Sequence, residues 1–317
     1  MVRTLREFSD SRLAFLYEAV RLGTMRAASE YLNVAPSSIS RQVAELEREL
    51  GVDLVEKARH TVQLTPAGQL VLQYYRDRMS HREALMSGID DIRGQRKGQI
   101  VLAIGQGLIR IPLVRSMAEF IEKYPGVNLE VRNASTRDVS ALVRNDEAHF
   151  GVTLDSPHDP RIRTRMVIPQ PLCLITNPGH HLAKQKSVGI RDLKEERLVL
   201  PEDGFRVRQI LHQVERARGL FLRPILTASS ILMLADCVLE GIGVTIIPNA
   251  CVSDHIEAGR LVSVPITDQP LRESKVHVVT RLGRQLPSTA ARLMDLIERN
   301  CSRTRRPVAT PGLQDAI

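Results

Sequence analysis

The side chains best suited to chemistry form a run of hydroxyl, guanidinium and amide groups directly after Pro36. Proline fits the first position of a helix, where its missing N–H costs no hydrogen bond. Ile39, Val43 and Leu46 then recur at helical spacing and predict the buried face of that helix. The polar run lies off this face, as in helices that contact phosphates and base edges in a DNA groove. The predicted DNA contacts in this region are Thr24, Arg26, Pro36, Ser37, Ser38, Ser40, Arg41 and Gln42.

The element that must position this helix is a shorter helix joined to it by a tight turn. Thr24 is a suitable N-cap, because its hydroxyl can accept from the open backbone N–H groups of the first turn. Ala27, Ala28 and Tyr31 share one face, and the two alanines are small enough for the helices to cross closely. Asn33 suits the turn because it tolerates left-handed backbone angles. The pattern is that of a helix-turn-helix.

A β-wing is predicted after the helix pair. Residues 53–57 and 62–65 have the composition of two short strands, and the tip between them is polar and basic. Such a tip can lie along a minor groove or along the phosphates of DNA. Lys57 and Arg59 therefore complete the predicted DNA contacts.

The net charge does not itself support DNA binding. The chain has 317 residues, a formal net charge of +8 and a sequence pI near 9.6. Residues 1–93, however, hold 13 basic and 13 acidic residues, so the basic excess lies in the rest of the chain. Part of that excess falls in residues 301–317, a segment with Pro and Gly that is predicted to be a disordered tail.

Several other kinds of site are disfavoured by the sequence. The four cysteines are widely spaced without a CxxC motif, so neither structural zinc nor a redox-sensing pair is predicted. His180 and His181 are interpreted as a surface pair rather than a metal site, and no cofactor is predicted. The chain has no run of about 18 apolar residues and no secretory signal at its start. We therefore expect a cytoplasmic protein without membrane contact.

Residues 66–93 predict one long helix. Its apolar residues recur at steps of three and four, but Arg78 and Arg82 interrupt the stripe, so it is not a clean coiled coil. A helix of this length with a wide apolar side needs a partner, and the same helix of a second subunit is preferred. Residues 94–98 are interpreted as a hinge.

Strand and helix alternate from Gln99 onward, which predicts α/β architecture with mainly parallel sheets. In such sheets ligands bind beyond the carboxyl ends of strands, where helix N-termini offer N–H donors. Such loops are predicted at residues 105–108, 133–136, 155–156, 201–205 and 229–230, and they predict a site for a small-molecule effector. The basic excess of the region favours an organic anion, with Arg161, Arg163, Arg165, Arg206 and Arg208 near the loops. The predicted effector contacts are Gln106, Gly107, Leu108, Asn133, Ser135, Thr136, Asp155, Ser156, Phe205, Ser229 and Ser230.

The sequence contains the motifs Ala27-Ala28, the APSSISRQV run, Leu64-Thr65-Pro66-Ala67-Gly68, Tyr124-Pro125, His181-Leu182-Ala183 and the segment from Leu239 to Val244 that leads to Pro248. Together these motifs resemble those of LysR-type transcriptional regulators. The N-terminal ones match nearly without gaps over residues 5–70, and the C-terminal ones extend the resemblance over nearly all of residues 99–298. The sequence departs from the family at two positions of the wing. It has Val55 where the family usually has Phe, and Lys57 where the family usually has Arg. A third departure is His149, where the family commonly has a structural Asp, so we interpret His149 as structural.

The resemblance implies an α+β multidomain protein. Its parts would be a winged helix-turn-helix over residues 1–65, a linker or dimerisation helix over 66–93, and an effector-binding domain over 94–300. That domain would resemble a periplasmic binding protein, with one α/β subdomain over 99–167 and 272–300 and another over 168–271. The implied partners are double-stranded DNA with a dyad-symmetric site, RNA polymerase and a second copy of the chain, as a homodimer or homotetramer.

Two other functions are less consistent with the sequence. An enzyme with a DNA-binding appendage is disfavoured, because GxSxG, HExxH, GxxxxGK[ST] and a strand-linked GxGxxG are all missing from the sequence. An architectural DNA-binding protein without an inducer would leave the α/β region, about 200 residues by its predicted bounds, without a purpose. The sequence therefore favours a regulator whose DNA binding responds to a small molecule.

Overall fold

The computed structural model describes residues 9–56, 61–105, 108, 110–155 and 159–303. Five predicted contacts lie outside the described residues, as does most of the predicted tail: Lys57, Arg59, Gln106, Gly107 and Ser156. The chain divides into two compact units. The first contains the chain up to Met86 together with Gly283–Gln285, and the second contains Ser87–Leu282 and the chain from Leu286 onward.

The first unit begins with three helices. They are α1 (Asp10–Arg21), α2 (Met25–Leu32) and α3 (Pro36–Leu50), and α4 (Pro66–Ile92) follows them. The Thr24 hydroxyl accepts from the Ala27 N–H at 3.0 Å, and Asn33 ends α2 with φ at +53°. Leu13, Leu16, Ala28, Ile39 and Leu46 form the core between the helices. Tyr31 differs from the predicted face, since it is exposed and lies under the Arg21 guanidinium at 4.5 Å.

The wing is fixed to the helices at its base. Val55 and Leu64 form an antiparallel bridge, the only pairing of this wing among the described residues, so the two predicted strands are reduced to a single bridge. The Glu47 carboxylate on α3 accepts from the backbone N–H groups of Leu54 and Val55 at 2.7 and 3.1 Å. Gly68 in the first turn of α4 packs directly against the backbone of Leu54. The base of the wing therefore depends on both α3 and α4.

The second unit alternates strands and helices. Its strands are β1 (Gly98–Gly105), β2 (Val127–Ala134), β3 (Phe150–Leu154), β4 (Ile162–Pro169), β5 (Leu172–Thr176), β6 (Leu198–Pro201), β7 (Pro224–Ala228), β8 (Thr245–Pro248), β9 (Val262–Pro265) and β10 (Lys275–Arg281). Its helices are α5 (Arg110–Lys123), α6 (Thr136–Arg144), α7 (Arg206–Arg218), α8 (Ile231–Leu239), α9 (Ser253–Glu257), α10 (Gln269–Arg272) and α11 (Ser288–Arg303), with 3-10 turns at His181–Lys184, Ile190–Leu193 and Asn249–Val252.

The strands form two subdomains. The first holds a five-stranded sheet in the order β2-β1-β3-β10-β4, in which β1 is parallel to β2 and β3. In the second, β5 lies antiparallel between β8 and β9, and β6 pairs in parallel with β7. The prediction of mainly parallel sheets is wrong, because β10 returns from the second subdomain and enters the first sheet antiparallel to both β3 and β4.

The chain passes between the subdomains after β4 and again before β10. The predicted boundaries at 167/168 and 271/272 lie within β4 and at the end of α10. The two passing segments hydrogen-bond to each other: the Ser274 hydroxyl donates to the Gln170 carbonyl oxygen at 2.7 Å, and the Gln170 N–H donates to the Ser274 carbonyl oxygen at 3.0 Å. At the crossing, the residue that follows β4 is therefore hydrogen-bonded to the residue that precedes β10.

The interior of the second unit is apolar around its three sheets. Its polar exceptions include His149, which is buried and whose Nδ1 accepts from the Val101 N–H at 3.0 Å. That bond ties the start of β3 to β1, in agreement with a structural role. All four cysteines are buried free thiols, and burial raises the pKa of Cys173. Within the described ranges no helix combines the length and apolar character needed to cross a membrane.

Candidate functional site

The first candidate surface is the outer side of α3. Pro36, Ser37, Ser40 and Arg41 are exposed there, while Ser38 is half-buried. Ile39, Val43 and Leu46 turn the opposite side of the helix into the core. The Arg41 guanidinium has no hydrogen-bond partner among the described residues, so it can reach an external phosphate or base. The polar residues of this face are thus presented together on one rigid helix.

Other predicted DNA contacts are engaged within the protein. The Gln42 side-chain oxygen accepts from Arg12 Nε at 3.2 Å, and Arg12 also pairs with Glu49 at 2.8 Å. The Thr24 hydroxyl caps α2. Arg26 pairs with Glu30 at 3.1 Å, with both side chains largely exposed. Thr24 and Gln42 therefore support the frame of the helix pair in addition to any contact that they make with DNA.

The second candidate site is a cavity of about 260 Å³ between the two subdomains. The first subdomain contributes residues at the carboxyl ends of β1, β2 and β3, and the second contributes the loop between β6 and α7. The lining residues are Gly105, Leu108, Ala134, Ser135, Thr136, Leu154, Glu202, Gly204, Phe205, Arg206, Val207 and Ser229. This is the place where ligands bind in open α/β sheets.

The cavity brings together part of the predicted effector set. Leu108, Ser135, Thr136, Phe205 and Ser229 line it. Three other predicted contacts do not line the cavity. Asn133 is exposed on β2, and Asp155 pairs with Arg206. Ser230 caps α8, where its hydroxyl accepts from the Met233 N–H. Gly105, Ala134, Glu202 and Gly204 also line the cavity and belong to the loops predicted from the sequence, whereas Leu154 and Val207 were not predicted.

The polar groups of the cavity include two helix N-termini, the guanidinium of Arg206 and the carboxylate of Glu202. Ser135 caps α6, and its hydroxyl accepts from the Asp138 N–H at 3.2 Å. Phe205 precedes α7 and provides no side-chain cap, so the first N–H groups of that helix remain available. Arg206 Nη2 lies 2.6 Å from Asp155 Oδ2, and this ion pair joins the two subdomains. Both helix ends and the guanidinium present positive charge to the cavity.

The wider set of arginines that suggested an anionic effector is not at the cavity. Arg163 and Arg165 lie on the exposed side of β4, at the edge of the first sheet, and Arg161 pairs with Asp159. Arg208 is buried and pairs with Glu215 at 3.2 Å. Only Arg206 of the five lines the cavity. The alternation of β4 was missed because its exposed positions carry the charges expected of a loop.

A charged network anchors the cavity loop to α7. His212 on α7 lies between Glu215, at 2.7 Å from Nδ1, and Asp203, at 2.9 Å from Nε2. The hydrogen bond with His212 holds the pKa of Asp203 below its usual value. Asp203 stands between the lining residues Glu202 and Gly204, so the network fixes the loop that forms one wall of the cavity.

Two family models match the chain over most of its length. The "Bacterial regulatory helix-turn-helix protein, lysR family" model matches residues 11–69, and the "LysR substrate binding domain" model matches residues 93–302. The chain belongs to the LysR family of transcriptional regulators. As a LysR-type protein it is a DNA-binding transcriptional regulator with a domain for a small-molecule effector, as the sequence predicts.

LysR-type relatives resemble the chain along nearly all of their length. It is 26% identical over 314 residues to the HTH-type transcriptional regulator BbuR of Bordetella bronchiseptica, covering 96% of this chain and 92% of that protein. It is 23% identical to the RuBisCO operon transcriptional regulator of Allochromatium vinosum, covering 89% and 93%. Among solved structures, a full-length OxyR variant from Pseudomonas aeruginosa matches its fold with a TM-score of 0.66 at 17% identity, covering 94% and 95% of the two chains.

Proposed function

We propose that this LysR-type regulator binds a dyad-symmetric operator through the exposed side of α3 and is controlled by a small organic anion in the cavity between its subdomains. The observation that carries the proposal is the cavity itself, where two helix N-termini and Arg206 meet. A protein of this kind acts in the bacterial cytoplasm, where its operator and RNA polymerase are found.

The dyad symmetry follows from pairing of two chains through α4. This helix exposes several large apolar side chains along its length: Leu70, Tyr74, Met79, Leu85, Met86 and Ile92. Scattered exposed apolar residues are ordinary, but a series of them on one 27-residue helix needs a covering surface. Closed two-fold symmetry is the commonest solution, and it makes two recognition helices read two related half-sites. The assembly is a homodimer or a homotetramer built from such dimers.

Arg41→Ala should weaken operator binding by about 1–3 kcal/mol without unfolding the protein. Arg41 is exposed on α3 and its guanidinium is available to an external partner. Arg48→Ala is the matched control on the same helix, because Arg48 is held by two bonds of 2.8 Å to Glu45 and lowers the pKa of that carboxyl. Affinity for an operator selected from genomic DNA should be measured at stated salt concentration for both variants. Equal affinity of Arg41→Ala and the parent would remove Arg41 from the contacts.

Control by the anion depends on its preference for one arrangement of the subdomains. A ligand shifts a conformational equilibrium only by its difference in affinity for the two states. The cavity walls belong to both subdomains, so an anion held by α6 from one side and by α7 from the other would favour the closed arrangement. The change would reach the DNA-binding units through the paired chains.

Arg206→Gln should lower the affinity for a carboxylate effector about tenfold or more, since a hydrogen bond to a charged group contributes about 1.5–3 kcal/mol. Asp155→Asn is the control, and it should have the opposite effect. It releases Arg206 from its carboxylate partner at 2.6 Å, so the affinity for the carboxylate effector should stay equal or become higher. Asn tolerates the left-handed φ of +69° at position 155.

The measurement is calorimetry with a panel of carboxylates and neutral analogues of the same size. Binding of neutral molecules alone would contradict an anionic effector and leave the DNA-binding function standing. Equal losses in Arg206→Gln and Asp155→Asn would mean that the pair acts only by holding the subdomains together.

A further inference from the structure

A cluster of two imidazoles and one carboxylate lies in the second subdomain, between β5 and β6. His180 and His181 stand at the start of the 3-10 turn His181–Lys184, and Glu196 is two residues before β6. His180 Nε2 is 3.2 Å from Glu196 Oε2, and His181 Nε2 is 3.1 Å from Glu196 Oε1. One ligand atom from each residue lies within 4.8 Å of the others. The two histidines thus converge on a single carboxylate.

The arrangement matches the demands of a zinc ion. Zinc takes imidazole nitrogen and carboxylate oxygen at about 2.0–2.2 Å in tetrahedral geometry, which separates neighbouring donor atoms by roughly 3.3–3.5 Å. The two nitrogen–oxygen separations of the cluster are only slightly shorter, although they run to different oxygens of Glu196, so one imidazole has to shift for both nitrogens and one oxygen to meet at the ion. Two histidines and one glutamate form a three-residue ligand set that leaves the fourth position for water. A small outward movement of the exposed His181, whose side chain is 68% exposed, would admit the ion.

We propose that His180, His181 and Glu196 form a binding site for Zn²⁺ or another late first-row divalent metal. Imidazole suits these ions better than it suits calcium or magnesium. None of the three residues lines the effector cavity. The strand β6 runs from the Glu196 side to the cavity loop at Glu202, so the metal site and the cavity stand at opposite ends of one strand. The sequence interpretation of the histidines as a surface pair did not include Glu196, which follows them by 15 residues.

Metal binding has a specific consequence for the backbone of the 3-10 turn. The Leu182 N–H donates to His180 Nδ1 at 3.3 Å, which requires Nδ1 to be unprotonated and Nε2 to carry the proton. A neutral His180 that binds the ion through Nε2 carries its proton on Nδ1 instead. The Leu182 N–H then loses its acceptor. Its amide resonance and its hydrogen exchange should therefore respond to the metal, together with those of the two histidines.

The test uses tag-free full-length protein titrated with Zn²⁺, with Co²⁺ as a spectroscopic probe. One ion per chain is expected, with visible Co²⁺ absorption typical of tetrahedral coordination and a shift of the Leu182 amide. Removal of an outer-shell partner costs metal sites about 10–100-fold in affinity, so His181→Ala and Glu196→Gln should each lose at least tenfold. His81→Ala is the control, because His81 is an exposed histidine on α4 outside the cluster.

Two results would overturn the site. One is an unchanged affinity in both His181→Ala and Glu196→Gln, which would place the bound ion at other histidines of the chain. The other is the absence of one-to-one binding to the parent protein. His181 is exposed, so its replacement should leave the thermal unfolding midpoint of the metal-free protein nearly unchanged. A loss of metal affinity in this variant would then be due to the missing ligand and not to unfolding.

Discussion

Asp146→Asn should lower the free energy of unfolding of the second unit by about 3–5 kcal/mol, the usual consequence of removing one partner from a buried ion pair. Arg281 on β10 is 1% exposed, and its Nε donates to both carboxylate oxygens of Asp146 at 2.9 and 3.0 Å. Asn keeps the size of the side chain and tolerates the left-handed φ of +61° at position 146. The substitution therefore removes the charge while the backbone conformation stays accessible.

The effect should extend to the effector. Asp146 stands in the turn between α6 and β3, and the opposite end of α6 forms part of the cavity wall. Denaturant unfolding and effector calorimetry should both be measured. Glu130→Gln is the matched control in the same sheet, because the Glu130–Arg132 pair has more than a third of each side chain exposed and is screened by water. Equal unfolding midpoints for the two variants would show that the Asp146–Arg281 pair does not stabilise the fold.

Gly68→Ala should destabilise the first unit by about 3 kcal/mol, near the upper end of the usual cost of overpacking, and abolish operator binding. A Cβ at position 68 would overlap the carbonyl oxygen of Leu54 and lie 2.9 Å from Leu64 Cδ2. A backbone oxygen cannot turn aside as a flexible side chain can. The first turn of α4 would have to separate from the base of the wing, whose Leu54 and Val55 N–H groups also donate to the Glu47 carboxylate on α3.

Gly88→Ala provides the control within the same helix. A Cβ at position 88 meets no atom within 4 Å, so alanine should raise stability by about 0.5–1 kcal/mol through its lower conformational entropy in the unfolded chain. Thermal unfolding and operator binding of both variants separate the clash from any general effect of alanine in α4. Normal operator affinity in Gly68→Ala would mean that the wing base adjusts without consequence for the DNA-binding surface.

The local elements of the fold were accessible from the sequence because their signals are local. Pro36 and Gly51 bound α3 as expected, and Thr24 caps α2 with its own hydroxyl. The strand β4 could not be predicted from the sequence, because its exposed arginines hide the alternation of an edge strand. The antiparallel entry of β10 could not be inferred either, since it depends on where the chain returns after a second subdomain of about 100 residues.

The candidate sites were accessible only in part, for a related reason. Ser135, Phe205 and Ser229 could be named because each precedes a predicted helix at the end of a strand. Pairings between the subdomains could not be predicted, since Asp155 and Arg206 are 51 residues apart and each has plausible local partners. The lining residues Leu154 and Val207 were not predicted, because an apolar side chain at the end of a strand or the start of a helix carries no chemical signal.

The bonded crossing at Gln170 and Ser274 limits how the two subdomains can move. We expect the crossing to act as a pivot, because its two segments are hydrogen-bonded to each other and a turn of one subdomain against the other can leave both bonds intact. The proposed closure over an effector would then be a change of angle, and its amplitude would grow with distance from the pivot. A contraction of a fraction of an ångström at the cavity would give a larger displacement at the part of each subdomain farthest from the pivot, as along a lever.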